Sequence, residues 1–166
     1  MGFPHLRLLA HALSRLGSYT AVAALLLSCG GDDDTRFSTP AATFTSYREA
    51  LTAGDDAASW ACLSAGYQKI EFHNDMNRWS EHLIRSGPTL KREVRQLEIN
   101  QETEINDRLG FIQFEPSTVA QGQGPFYYFL RESGGWRITT HLDSLFRVEL
   151  EGAIERGEFT LPATRR

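Results

Sequence analysis

Long apolar runs are missing from the N-terminal part of this 166-residue chain. The longest, Ala21 to Leu27, is seven residues, and Gly30-Gly31-Asp32-Asp33-Asp34 follow soon after. A bilayer-spanning helix needs about 20 consecutive apolar residues, so an ordinary membrane span is excluded. Catalytic signatures are missing as well. No serine stands in a Gly-x-Ser-x-Gly elbow, and Gly122-Gln123-Gly124 runs into Pro125 and a strand instead of opening a helix as a phosphate loop does. Basic clusters are lacking too. A formal net charge of −4 disfavours nucleic acid and anionic head groups for the chain taken as a whole, and no nucleic-acid partner is expected.

What is present begins at the N-terminus. Residues 1–28 hold Arg7 and Arg15 and no acid, then the apolar run, then the small Ser28, which is the basic, apolar, small order of a secretory signal. The tetrad Leu26-Leu27-Ser28-Cys29 resembles the lipobox of bacterial lipoprotein precursors. That resemblance implies a diacylglyceryl thioether on Cys29 and cleavage before it, so the acyl chains would hold the domain at a membrane surface without crossing it. It also implies a bacterial cell-envelope location, facing the periplasm. In that family an aspartate after the cysteine favours inner-membrane retention; Gly30 stands there instead, which tilts the expectation to the outer membrane. Loss of residues 1–28 would leave 15 basic against 21 acidic residues, a net charge of −6. Cys62 would then be the last cysteine, unable to form an intramolecular disulfide and expected as a small buried hydrophobe.

Residues 29–38 have the composition of a solvated tether. Their three aspartates lack the spaced ligands, distal Glu and turning Gly of a calcium loop. The remaining 39–166 are sized for one domain. Thr39-Pro40 reads as an N-cap and first helical residue, and Phe44, Tyr47 and Leu51 recur on one face until Gly54. Asp55 or Asp56 caps a second helix carrying Trp60 and Leu63, ending at Gly66. A third carries Phe72, Met76, Trp79 and Leu83 before Gly87-Pro88 stops it. The period then changes to two. Leu97, Ile99, Thr103 and Ile105 share a phase, with a bulge near Arg95 or Gln96 to absorb Val94; Asn106-Asp107 makes a hairpin turn, and Leu109 to Glu115 returns. Pro116 to Pro125 is a loop, and Phe126–Glu132 pairs with Trp136–Leu142 across Ser133-Gly134-Gly135. At the end, Phe146, Val148 and Leu150 alternate like a strand while Phe146, Leu150 and Ile154 fit a helix; a helix capped by Asp143 is the favoured alternative.

Helices first and hairpin strands second predict an α+β domain, N-terminal helices packed on an antiparallel sheet. Three features resemble the nuclear transport factor 2-like superfamily: the opening helix ending in "REALTAGD" (Arg48 to Asp55), a long helix before the sheet, and the late hairpin "YYFLRESGGWRI" (Tyr127 to Ile138). Gly134-Gly135-Trp136-Arg137-Ile138 is similar to an element that closes the sheet in small lipoproteins and polyketide cyclase-like members. The resemblance, over Thr39 to about Leu142, implies a strongly bent sheet wrapped around a long helix, a cone with an apolar cavity, and in many members a homodimer. Members range from ketosteroid isomerase and dehydratases to transport adaptors, so fold alone assigns no function.

An isomerase-type mechanism needs a carboxylate projecting into the cavity opposite hydrogen-bond donors. Glu98, Glu102 and Glu104 have the opposite parity to Leu97, Ile99 and Ile105 and are expected outside, while Glu132 and Asp143 lie at strand ends. His73 and His82, nine apart, fall on opposite sides of one helix and cannot share a metal. No catalytic residue, metal or cofactor is therefore expected. Tyr47, Trp60, Phe72, Trp79, Tyr128, Trp136 and His141 are candidate cavity-lining residues, with plain core packing the competing explanation for the aromatics. Three functions follow. The leading one is non-enzymatic binding of a small apolar ligand or an envelope protein partner. A cavity enzyme of isomerase, dehydratase or cyclase type would use His141 and a tyrosine across the hairpin. A structural dimer would use the outer sheet face.

Overall fold

The structure, a computed structural model, describes residues 35–160. Residues 1–28, read above as a signal sequence, and with them Cys29 and the Asp32–Asp34 triplet, lie outside the described residues. The described part of the expected tether belongs to the fold: Thr35–Phe37 form a 3-10 turn, and Phe37 is buried in the core.

Helix α1 (Pro40–Ala53) starts as the sequence predicts. The Thr39 hydroxyl accepts the Ala42 N–H, and Gly54 ends the helix in the left-handed region at φ 76°. Helix α2 (Asp56–Ala61) is capped by Asp55. Gly66 does not end it. Ser64 opens a separate helix, α3 (Ala65–Phe72), whose second residue is Gly66, and His73 closes α3 at φ 56°. The stripe from Phe72 to Leu83 is thus divided between two helices, because Asp75 caps a new one, α4 (Met76–Gln96). Gly87-Pro88 does not stop α4 either. Pro88 lies inside the helix, on an exposed position, and buried Gly87 and Val94 carry the apolar stripe through to buried Leu97. Val94 therefore needs no strand bulge near Arg95 or Gln96, since that stretch is helical.

Four strands follow, β1 (Ile99–Glu104), β2 (Leu109–Phe114), β3 (Phe126–Glu132) and β4 (Gly135–Thr139), in an open antiparallel sheet of order β1-β2-β3-β4. The domain is α+β. The one register shift in the β1–β2 pair falls between Ile99 and Gln101. It reverses the phase of β1: Glu102 pairs with buried Ile112, while Thr103 pairs with Phe111 on the opposite face. In the turn, the Asn106 side chain accepts the N–H groups of Arg108 and Leu109, each at 2.9 Å.

The sheet is covered on both sides. On its inner face Ile112, Phe114, Phe129, Trp136 and Ile138 pack with Phe44, Tyr47 and Leu51 of α1 and with Trp79 and Val94 of α4. Helix α1 makes the main contact with the strands, and α4 packs on α1, α2 and α3. Helix α5 (Ser144–Glu155), capped by Asp143, lays Phe146, Leu150 and Ala153 on Leu109 and Leu130 of the outer face. Val148, 64% exposed, breaks the strand-like alternation, so the helical alternative stands. At the β4 edge, Ser64 N–H donates to Ile138 O and Ile138 N–H to Cys62 O, both at 2.8 Å, a parallel bridge that covers an otherwise bare edge.

Candidate functional site

A mixed polar and apolar concavity lies where α1, the start of α3 and the ends of β3 and β4 meet. It has a volume of about 170 Å³ and is lined by Tyr47, Leu63, Tyr67, Phe126, Tyr127, Tyr128, Ile138, Thr139, Thr140 and His141. Tyr47 comes from α1, one turn beyond Phe44. Tyr127 shares the inner face with Phe129, its ring edge-on to Phe44 at 5.5 Å and to Phe114 at 5.3 Å. Tyr67 is placed by the Ser64 cap, whose hydroxyl accepts the Tyr67 N–H at 3.0 Å.

These phenols share one electrostatic environment. Burial first, then the neighbouring phenols of Tyr127 and Tyr67, push the Tyr47 hydroxyl well above its ordinary range. Burial and then Glu71 raise Tyr67, and burial, Tyr67 and Glu93 raise Tyr127. All three are therefore neutral hydrogen-bonding groups at physiological pH, suited to binding and not to abstracting protons.

Of the residues singled out from sequence, Tyr47, Tyr128 and His141 line this pocket. Trp60, Phe72, Trp79 and Trp136 do not. Trp79 stacks on His82 at 5.6 Å and meets Phe72 edge-on at 5.1 Å, its indole N–H donating to Ser59 Oγ at 3.0 Å; Trp60 also meets Phe72 edge-on, at 5.9 Å. These rings fill space inside the helical layer. Trp136 is fully buried under α1, and its Nε1 is the one buried side-chain polar atom without a partner among the described residues. His141 lies past the end of β4 and is exposed. Since Tyr128 pairs with Thr139, extending the register sets His141 opposite Phe126, not opposite Tyr127 or Tyr128. His73 and His82 stand on different helices, α3's cap and α4. Among the described residues no group of three or more His, Cys, Asp or Glu could hold a metal ion.

The carboxylates near the sheet have structural work. Glu102, exposed as expected, accepts the Ala41 N–H at the start of α1, at 2.8 Å, and Glu132 accepts the Ala65 N–H at the start of α3, at 2.9 Å. Asp143, 4% exposed, accepts Leu145 N–H through Oδ1 and the Thr139 hydroxyl through Oδ2, while Ser64 Oγ donates to Thr139 Oγ1 at 3.1 Å. Sequence reasoning missed Tyr67 and passed over Tyr127 for Tyr128 as a pocket residue. Reading Gly66 as a helix end hid the N-cap at Ser64, and with it Tyr67.

Comparison with family models, with curated proteins and with solved structures found no match in any of the three.

Proposed function

We propose that this chain is a lipid-anchored protein of the bacterial cell envelope whose domain binds a small ligand without turning it over. The lipobox-like Leu26-Leu27-Ser28-Cys29 supports the anchor, and Gly30 after it favours the outer membrane, facing the periplasm. The order of elements and the Gly134–Ile138 hairpin support assignment to the nuclear transport factor 2-like group, with the tyrosine pocket in the place of the wider cone cavity. The observation that carries the binding function is the trio Tyr47, Tyr67 and Tyr127 around one pocket, in a fold whose nearby carboxylates Glu102, Glu132 and Asp143 accept backbone N–H groups. At about 170 Å³ the pocket is smaller than the roughly 300–1,000 Å³ of drug-sized sites, so the ligand is a compact molecule with an apolar body and a polar end. Dimerisation through the outer sheet face is not part of the proposal. Helix α5 covers Leu109 and Leu130 there, and Phe159 packs on Phe111 at 6.1 Å.

Native mass spectrometry of the protein purified from its own host tests both halves. The expected spectrum shows a chain beginning at Cys29 with a diacylglyceryl mass that Cys29→Ser abolishes, and a retained small molecule that Tyr127→Ala releases. An unmodified Cys29 overturns the anchor; a ligand unaffected by Tyr127→Ala, or none retained, overturns the pocket.

A further inference from the structure

The exposed face of α4 carries cations that nothing in the tyrosine pocket uses. Two shallow depressions adjoin there and share Arg95: one, of about 430 Å³, is lined by Arg48, Glu49, Thr52, Ala53 and Arg95, and the other, of about 420 Å³, by Pro88, Lys91, Arg92, Arg95 and Gln96. Four cations thus stand with a single carboxylate, on a chain whose net charge is −4. The sequence shows no run of bases because Arg48 is on α1 and the others on α4; folding gathers them. Among the described residues none of the four takes part in a salt bridge. Arg48 is held in place instead, its ring neighbour Phe44 at 5.5 Å and its Nη1 donating to Leu97 O at 3.4 Å. The Lys91 amine lies against Gly54, where the negative end of α1 favours it.

An apolar feature accompanies the charge. Ile84 is 80% exposed, the most exposed large aliphatic side chain among the described residues. At 100° per residue, positions 84, 88, 91 and 95 fall within about 60° of one another, so Ile84, Pro88, Lys91 and Arg95 form one stripe along α4. An exposed aliphatic tip on the same helical stripe as long cationic side chains one to three turns further along matches an interface in which the tip enters below the head groups and the cations meet phosphates. We propose that this face of α1 and α4 is a peripheral contact surface for a membrane rich in anionic phospholipid. Nucleic acid fits the face less well, because none of the residues lining it is aromatic and able to stack on a base. The reading is independent of acylation at Cys29, and its test removes that group.

The test uses the full chain carrying Cys29→Ser, floated with vesicles of phosphatidylcholine alone or with phosphatidylglycerol added. Any contribution of residues 1–28 is common to every variant, so the readout is the difference made by α4. Each cation near an anionic surface contributes roughly fivefold to partitioning, and salt at about 0.5 M screens it. Arg92→Glu/Arg95→Glu is expected to lower partitioning onto anionic vesicles at least tenfold while leaving neutral vesicles unchanged, Arg92→Gln/Arg95→Gln to lower it less, and Ile84→Ser to lower it several-fold; circular dichroism of each variant checks that the fold is retained. Equal binding by parent and charge-reversed chains overturns the proposal. So does displacement by millimolar inorganic phosphate, which would indicate a small-anion site, or tighter binding of a single-stranded oligonucleotide that depends on the same arginines.

Discussion

Asp143 shows how much one buried carboxylate can organise. It caps α5 through Leu145 N–H, accepts the Thr139 hydroxyl at the end of β4, and through Thr139 reaches Ser64, the cap of α3. Three elements meet at one side chain. The meeting requires glycine at position 66, since a Cβ built there would collide with the Asp143 carboxylate. Asp143 cannot swing aside without leaving a helix uncapped and a hydroxyl unpaired. Gly66→Ala is therefore expected to destabilise the fold by about 2–4 kcal/mol, combining overpacking with a lost cap, even though alanine is the better helix former. Urea denaturation measures it. Asp143→Ala relieves the collision and loses the cap and the Thr139 acceptor, at a cost of about 1–3 kcal/mol; the double variant should then cost much less than the two single changes added together. Additive costs would mean that the two residues do not interact as described.

At the scale of elements, the beginnings of helices were more legible than their ends. Thr39, Asp55 and Asp143 announce α1, α2 and α5 because a side-chain cap is a local event, readable from a few adjacent residues. Ends read from Gly66 and Gly87-Pro88 were misplaced, because tertiary packing overrode local preference. Gly66 sits inside α3 for the sake of Asp143, and α4 continues past Pro88 because Gly87, Leu90, Val94 and Leu97 keep one apolar face against the core. The parity of β1 was misread for a related reason, although its acids are exposed as expected. A register shift of one residue, invisible in an alternating pattern, turned Glu102 towards α1. The pocket was legible only in part, since Tyr47 follows from helical spacing while Tyr67 depends on the missed start of α3. The cost of the irregular α4 can be measured. A Cβ at Gly87 would lie 3.7 Å from Leu83 Cβ, an ordinary contact, so Gly87→Ala is expected to stabilise the protein by about 0.5–1 kcal/mol. Pro88→Ala restores an N–H to the helix interior, offset by a more flexible unfolded chain, and is expected to stabilise by about 1–2 kcal/mol. A lowered urea midpoint for either variant would show that α4 needs its irregular residues.

Across the whole molecule, charge and polarity are separated by place. Cations gather on the outer face of α1 and α4, carboxylates satisfy helix starts around the sheet, and neutral phenols line a pocket that both α1 and the strands border. The phenols make the pocket detectable without knowing its ligand. Tyr47, Tyr67 and Tyr127 all have their ionisation raised by burial first of all, whereas in the unfolded chain a tyrosine ionises near pH 10. Below that pH both states hold the protons, and the phenols add no pH dependence. Above it the unfolded state releases protons that the folded state keeps, so stability falls as pH rises, by up to about 1.4 kcal/mol per pH unit for each phenol, until the folded phenols ionise as well. The expected alkaline titration shows tyrosinate absorbance rising together with the loss of near-ultraviolet circular dichroism. Tyr47→Phe and Tyr127→Phe should each remove part of that rise and make the decline in stability with pH shallower. If all three phenols instead ionise near pH 10 while the fold stays intact, the phenols are open to water, and the buried phenol cluster on which the binding function depends does not exist.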